Sequence, residues 1–335
     1  MIIDAHTDTI MDVAERRDRG DKKVIESKHL PKMKQGGITA RNFAVGGDCE
    51  MFYTFPLRRM ATGGTDPLKR TLTLMQSLRA DIGESEDVIS LALTASDIEK
   101  AKKDDRVALI LSLEGAKPFE EDLSFLDMLH GMGIRIVQLT WNYRNLLADG
   151  VLERTRSGLT NLGIEAVERM QKLGIVVDVS HLSEAGFWDV LGLVKEPVIA
   201  SHSNARSICE HVRNLTDEQI KALAENGGVI GMNSYAEFVS RSAPTLEKLL
   251  DHVDHIAKLV GVNHIGIGLD ITEDWPEDIY REIWDQTLKF IDGLESVSRL
   301  PDFTRGLVAR GYSDQEIQKI LGGNFMRVFN VVFKN

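Results

Sequence analysis

Val107-Ala108-Leu109-Ile110-Leu111-Ser112-Leu113 is a nearly unbroken apolar run, and it is followed at once by Glu114-Gly115. A half-exposed antiparallel strand alternates apolar with polar residues; a strand buried on both faces of a parallel sheet does not. Seven further short apolar or β-branched runs recur along the 335-residue chain, at 2–5, 38–45, 134–140, 175–179, 198–200, 229–232 and 265–269.

Helix signals fill the intervals between these runs. Ser96-Asp97-Ile98-Glu99 and Ser313-Asp314-Gln315-Glu316 have the capping-box spacing, in which serine and glutamate each satisfy a free N–H of a first turn. Thr216-Asp217-Glu218 opens another helix that stops at Gly227-Gly228, and residues 161–173 carry helical apolar spacing closed by Gly174. Strand, loop, helix, glycine, strand is the repeating unit of an α/β fold, and eight such units predict a closed (β/α)8 TIM barrel. One domain over residues 1–335 is expected. The segments 46–106, 233–263 and 271–335, which include Gly63-Gly64, Trp275 and Trp284, exceed a minimal loop and helix and are read as extra covering helices.

Composition narrows the function. With 43% hydrophobic and 27% charged residues the chain is ordinary for a soluble globular protein, and its net charge of −11 argues against nucleic acid and anionic membrane as partners. An anionic substrate would need local positive charge, from a metal or an arginine. Cys49 and Cys209 stand far apart without a C-x-x-C partner, so neither a disulfide framework nor a thiolate zinc site is indicated. No secretory signal pattern or spanning apolar run is read, and a cytoplasmic location is expected.

In a (β/α)8 barrel the C-terminal strand ends converge on one face, and that is where reactive groups gather. The first run leads into Asp4-Ala5-His6-Thr7-Asp8, where the period of two puts His6 and Asp8 on one side together with Asp4. The third ends in Glu114, the fifth in Asp178-Val179-Ser180-His181, the sixth in Ser201-His202 and the eighth in Asp270. Each residue alone reads as a cap or a hydrogen-bonded loop residue; three histidines and three carboxylates at the same end read as a metal site. The other histidines, at 29, 130, 211, 252, 255 and 264, fall in helices, in loops or before strands and are read as ordinary.

These motifs resemble the zinc-dependent membrane dipeptidase (renal dipeptidase) family of the amidohydrolase superfamily, from residue 2 to about residue 330. Besides the strand-end residues, the likeness rests on Leu113-Glu114-Gly115, Ser180-His181-Leu182-Ser183, Pro197-Val198-Ile199-Ala200-Ser201-His202-Ser203, Val212-Arg213-Asn214, Ile265-Gly266-Ile267-Gly268-Leu269-Asp270 and Leu321-Gly322-Gly323-Asn324-Phe325. The resemblance implies that His6 and Asp8 hold one zinc, His181 and His202 a second, and that Glu114 bridges them. A hydroxide shared by the two ions would attack the amide of a small dipeptide, with Asp270 as proton shuttle and Arg213 receiving the substrate carboxylate. It also implies tolerance of a D-residue at the C-terminal position, and a homodimer, since members are often dimers.

One departure stands out. Where many members have a histidine after the fourth strand, this chain has Trp141, and the indole can donate one hydrogen bond but never carry a proton's charge. Asn142, Tyr143 and Arg144 thereby join Trp141 as candidate substrate-binding residues. Two alternatives accompany the dipeptidase reading: hydrolysis of another small carboxylated amide, such as an N-acyl amino acid or lactam-like compound, and a metal-stabilised binding protein without catalysis.

Overall fold

The computed structural model describes residues 1–48, 66–275 and 290–334, so Cys49, Gly63-Gly64 and Trp284 lie outside the described residues. Nine strands occur among those described: β1 (Ile3–Thr7), β2 (Ala40–Gly46), β3 (Ile89–Leu91), β4 (Val107–Glu114), β5 (Ile134–Gln138), β6 (Val176–Asp178), β7 (Ile199–Ala200), β8 (Val229–Met232) and β9 (Ile265–Ile267). Eight of them run in the order β2-β1-β9-β8-β7-β6-β5-β4, and the ring closes where β2 pairs with β4 from Ala40↔Ala108 to Gly46↔Glu114. Every pairing is parallel. With helices around it, this is a (β/α)8 barrel, and the eight apolar runs are its eight staves.

The ninth strand was not expected from the sequence. β3 pairs only with Val107–Leu109 at the start of β4, along the edge that β5 takes over from Leu111 onward. Three residues of Ile-Ser-Leu carry too little periodicity to stand out.

Two packed layers follow from the strand period of two. Leu109, Leu111 and Leu113 of β4 join the shell between sheet and helices. Ala108 and Ile110 alternate with them and face the barrel interior, where they share a cluster with Ile3, Ile136, Phe325 and Phe329. The two phenylalanines belong to the helix Asn324–Val332, which therefore seals the floor of the barrel.

The helix ends largely follow their signals. Ser313 and Glu316 form a capping box, as do Thr216 and Gln219 at the helix Asp217–Glu225. Thr160 caps Asn161–Leu173, whose end is turned by Gly174 at φ 76°. The box expected at Ser96 and Glu99 sits two residues earlier, between Thr94 and Asp97, because the shorter Asp97 side chain serves there in place of a glutamate. Among the described residues no helix is long and apolar enough to cross a membrane.

Candidate metal centre

β1 carries His6 and releases the chain at Asp8, which stands at the N-cap position of the helix Thr9–Asp18. Its carboxylate makes no capping hydrogen bond; it lies 3.8 Å from His6 Nε2 instead. Glu114, the last residue of β4, is buried, and its Oε1 lies 3.6 Å from His6 Nε2, 3.1 Å from His181 Nε2 and 3.7 Å from His202 Nε2. The Nε2 atoms of His181 and His202 are 2.8 Å apart, and the His6 and His202 rings stack with centroids at 3.7 Å. Asp270 Oδ1 is 3.8 Å from His6 Nε2. All six strand-end residues thus meet at one mouth of the barrel.

Local backbone is bent to achieve this. His181 and Asp270 hold φ of 69° and 61°, a left-handed conformation uncommon for residues with a side chain and concentrated at functional sites. Beneath His202, the Ser201 carbonyl presses against β8 and β9 so closely that a Cβ on Gly231 or Gly268 would sit 1.9 or 1.7 Å from its oxygen. Glycine at both positions lets the sixth strand end enter the mouth.

The electrostatics favour a cation. Burial lowers His6 to about 3 and takes His181 and His202 well below the usual imidazole value, with Arg213 adding to the effect. All three rings are therefore neutral at pH 7, each with a lone pair to offer. Burial also raises Asp8 and Glu114 well above ordinary carboxylates, each further raised by neighbouring carboxylates. Asp270 rises to about 7 through burial, partly offset by its bond to Asn233 and by Arg213. Three acids packed this tightly repel one another unless positive charge lies between them.

The donor set fits metal ions. His6, Glu114 and His202 form one group whose ligand atoms lie within 4.8 Å of one another, and His6, Asp8 and Asp270 form another. Nitrogen and oxygen donors in this mixture suit zinc. His181 Nδ1 donates to Asn142 Oδ1 at 2.8 Å, and His202 Nδ1 lies 2.7 Å from Ser201 Oγ, so both rings are braced from behind with Nε2 turned to the site.

The remaining predicted residues take varied positions. Arg213 is buried; Nη2 donates to the His202 carbonyl at 3.3 Å, the guanidinium lies 5.5 Å over the Phe238 ring, and Nε has no hydrogen-bond partner among the described residues. Burial lowers it to about 10, still charged at neutral pH. Trp141 is half-buried with its ring 6.2 Å from that of His181, and Tyr143 is exposed beside it, also at 6.2 Å. The Asn142 carboxamide engages His181, and Arg144 engages Asp149 and Thr155, which shape the loop after β5.

Two supporting residues were missed in the sequence. Asn233, just beyond β8, donates from Nδ2 to Asp270 Oδ2 at 3.1 Å and is itself fixed by Asn204 and the Tyr235 amide. Asp48, beyond β2, accepts from Lys117 N and Asn145 Nδ2 and thereby braces the loop that carries Trp141 and Asn142. Reading the ends of the second and seventh runs as well would have returned both.

A closed parallel barrel with histidines and carboxylates converging at the strand ends is an architecture made to seat divalent metal. The profile of the membrane dipeptidase family, peptidase family M19, matches residues 1–334, and the chain belongs to that family. It is 32% identical over 269 residues to Dipeptidase verJ of Clonostachys rogersoniana, covering 80% of this chain and 66% of that protein. To an uncharacterised protein in the pqqA 5' region of Klebsiella pneumoniae it is 30% identical over 280 residues, covering 80% of this chain and 98% of that one. The chain therefore spans just under two thirds of the fungal relative and nearly all of the bacterial one. Among solved structures it is similar to a metallopeptidase from Rhodobacter sphaeroides bound to a phosphinate mimic of the dipeptide L-Ala-D-Ala, with TM-score 0.84 and 24% identity over 99% of each chain. An amidohydrolase from Pseudomonas aeruginosa gives TM-score 0.81 and 24% identity over 99% of this chain and 96% of that one.

Proposed function

We propose that this protein is a dipeptidase with two zinc ions, acting as one catalytic domain over residues 1–335. The observation that carries the reading is Glu114 Oε1, within 3.7 Å of the Nε2 atoms of three histidines from three different strand ends. His6 and Asp8 would hold one ion and His181 and His202 the other, with Glu114 placed to serve both pairs. Bound zinc supplies an attacking water active at neutral pH and polarises the amide carbonyl.

The chain's own groups do the rest. Asp270, held through Oδ2 by Asn233, keeps Oδ1 toward the site, where it takes the proton of the attacking water and returns it to the leaving amine. Arg213 receives the carboxylate of the dipeptide in its two-pronged geometry, and its unpartnered Nε supports this. Trp141 stands where many members of the family have a histidine and offers the substrate an apolar wall with one donor. The name of the fungal relative and the dipeptide mimic in the Rhodobacter peptidase favour dipeptides, with an L- or D-residue on the carboxylate side. Cytoplasmic location and a homodimer complete the reading.

Purified protein should contain two equivalents of zinc and cleave members of an L,L- and L,D-dipeptide panel, while Asp270→Asn should retain zinc and lose about 10²–10⁴-fold in kcat. A two-zinc protein that leaves the whole panel intact would overturn the reading. The indole of Trp141 favours a second substrate class, N-acyl amino acids, and their preferential turnover would redirect the proposal to them.

A further inference from the structure

Beside the candidate centre lies a cavity whose lining includes His181, Arg213, Arg206 and Arg156, with Glu184 as its one acid. In a chain of net charge −11, three guanidinium groups around one cavity are a local reversal of sign. Two of them are already engaged. Arg206 donates to the Asn214 and Val212 carbonyls and lies 3.5 Å from Glu184, while Arg213 donates to the His202 carbonyl. Arg156 is exposed and forms no hydrogen bond or ion pair with any described residue.

The backbone at Arg156 is unusual in the same way as at His181 and Asp270. Its φ is 50°, a conformation that costs free energy in any residue with a Cβ and persists only where neighbours enforce it. The neighbours do so. Thr155 Oγ1 and Ser157 N both donate to Asp149 Oδ2, at 2.8 and 2.6 Å, and the Ser157 carbonyl accepts from Ser183 Oγ at 2.6 Å. Asp149 is in turn held by Arg144. The loop is thus pinned on both sides of Arg156, one residue at a time, and pinned to the segment that carries His181.

We infer that Arg156 is a specificity residue for a second negative charge on the substrate. The preferred substrate is a dipeptide whose C-terminal residue has an acidic side chain: Arg213 takes its α-carboxylate and Arg156 the side-chain carboxylate across the same cavity. This rests on the dipeptidase reading above. A planar guanidinium with all its donors unused is the side chain best matched to a carboxylate, and the engaged Arg206 and Arg213 keep the surrounding potential positive.

The test compares kcat/KM for alanyl-glutamate with that for alanyl-glutamine, in L,L and L,D forms, since the two substrates differ in charge and hardly in shape. The zinc-loaded protein should prefer glutamate by roughly two- to five-fold at low salt, through KM, and the preference should shrink as salt screens the exposed pair. Arg156→Gln should bring the ratio to about one, and Arg156→Glu should invert it and favour alanyl-lysine. Arg154→Gln, two residues away and outside the cavity lining, should keep the parent ratio. Equal turnover of the glutamate and glutamine substrates by the parent, or an unchanged ratio in Arg156→Gln, overturns the inference and leaves the dipeptidase reading standing. Failure to cleave any member of the panel overturns both.

Discussion

At the floor of the barrel, Ile3, Ala108, Ile136 and Ile199 meet Phe325 and Phe329, and Phe329 stacks on Phe333 with centroids at 4.7 Å. A few residues further along the same strands, the interior holds Ser112, Gln138 and Asp178, then His6, Glu114, His181 and His202. Ser112 Oγ, both side-chain polar atoms of Gln138, Asp178 Oδ2 and His6 Nδ1 are buried there without a hydrogen-bond partner among the described residues. The floor is apolar; the mouth gathers buried polar side chains whose hydrogen-bonding capacity the described residues leave partly unfilled. Stability and chemistry are thereby separated along one axis, and the mouth's demands are met by the rigidity of the floor.

Glu114→Gln tests the mouth and should have the largest effect. Activity is expected to fall on the order of 10³-fold with loss of metal, while the metal-free protein melts at a higher temperature than the metal-free parent, because one buried carboxylate beside Asp8 and Asp270 is gone. A lower melting temperature would mean that the mouth contributes to folding after all. At the floor, Phe329→Ala should do the reverse, costing about 3–5 kcal/mol in denaturant unfolding while kcat of the folded fraction stays within about two-fold. A matching fall in kcat would show that the two ends are coupled.

The smallest effect lies at His29, between β1 and β2, where it meets Asp274 from the segment after β9. His29 Nε2 is 2.9 Å from Asp12 Oδ2 and its Nδ1 is 3.2 Å from Asp274 Oδ2, so both ring nitrogens face carboxylates. Burial alone would depress this imidazole, but the two bonds outweigh it and raise the pKa above the usual value. The stabilisation is fully present below about pH 6.5, where the unfolded chain is also protonated, and is lost as pH rises through the raised folded value. His29→Gln should therefore cost about 1–2 kcal/mol at pH 6 and progressively less toward pH 9, followed by thermal melts across that range. A cost that does not change with pH would mean that the ring is neutral.

Much of the fold and of the site is legible in the sequence. The eight runs are the eight barrel strands because a strand buried on both faces must be apolar throughout, and His6, Asp8, Glu114, His181, His202 and Asp270 converge because parallel strands all end on the same side. What the sequence did not reveal depends on neighbours brought together by folding. Asn142 is expected at the substrate, and its carboxamide also accepts from His181 Nδ1; nothing in the residue types at 142 and 181 announces that these two side chains lie 2.8 Å apart. Asn233 and Asp48 act through a partner's side chain and a loop's backbone, relations that residue type alone does not encode. The three-residue β3 and the Thr94 cap were lost to local signals too short or too permissive to register.

The first and last staves are also neighbours: Asp4 pairs with Ile267, and Asp4 Oδ1 accepts from Leu269 N across 265 positions of sequence. Along the sequence Asp270 follows His6 and Asp8 by some 260 residues, and the phenylalanines that seal the floor come later still. The six strand-end residues therefore converge only once β9 has closed against β1, and no fragment ending short of β9 can bring them together.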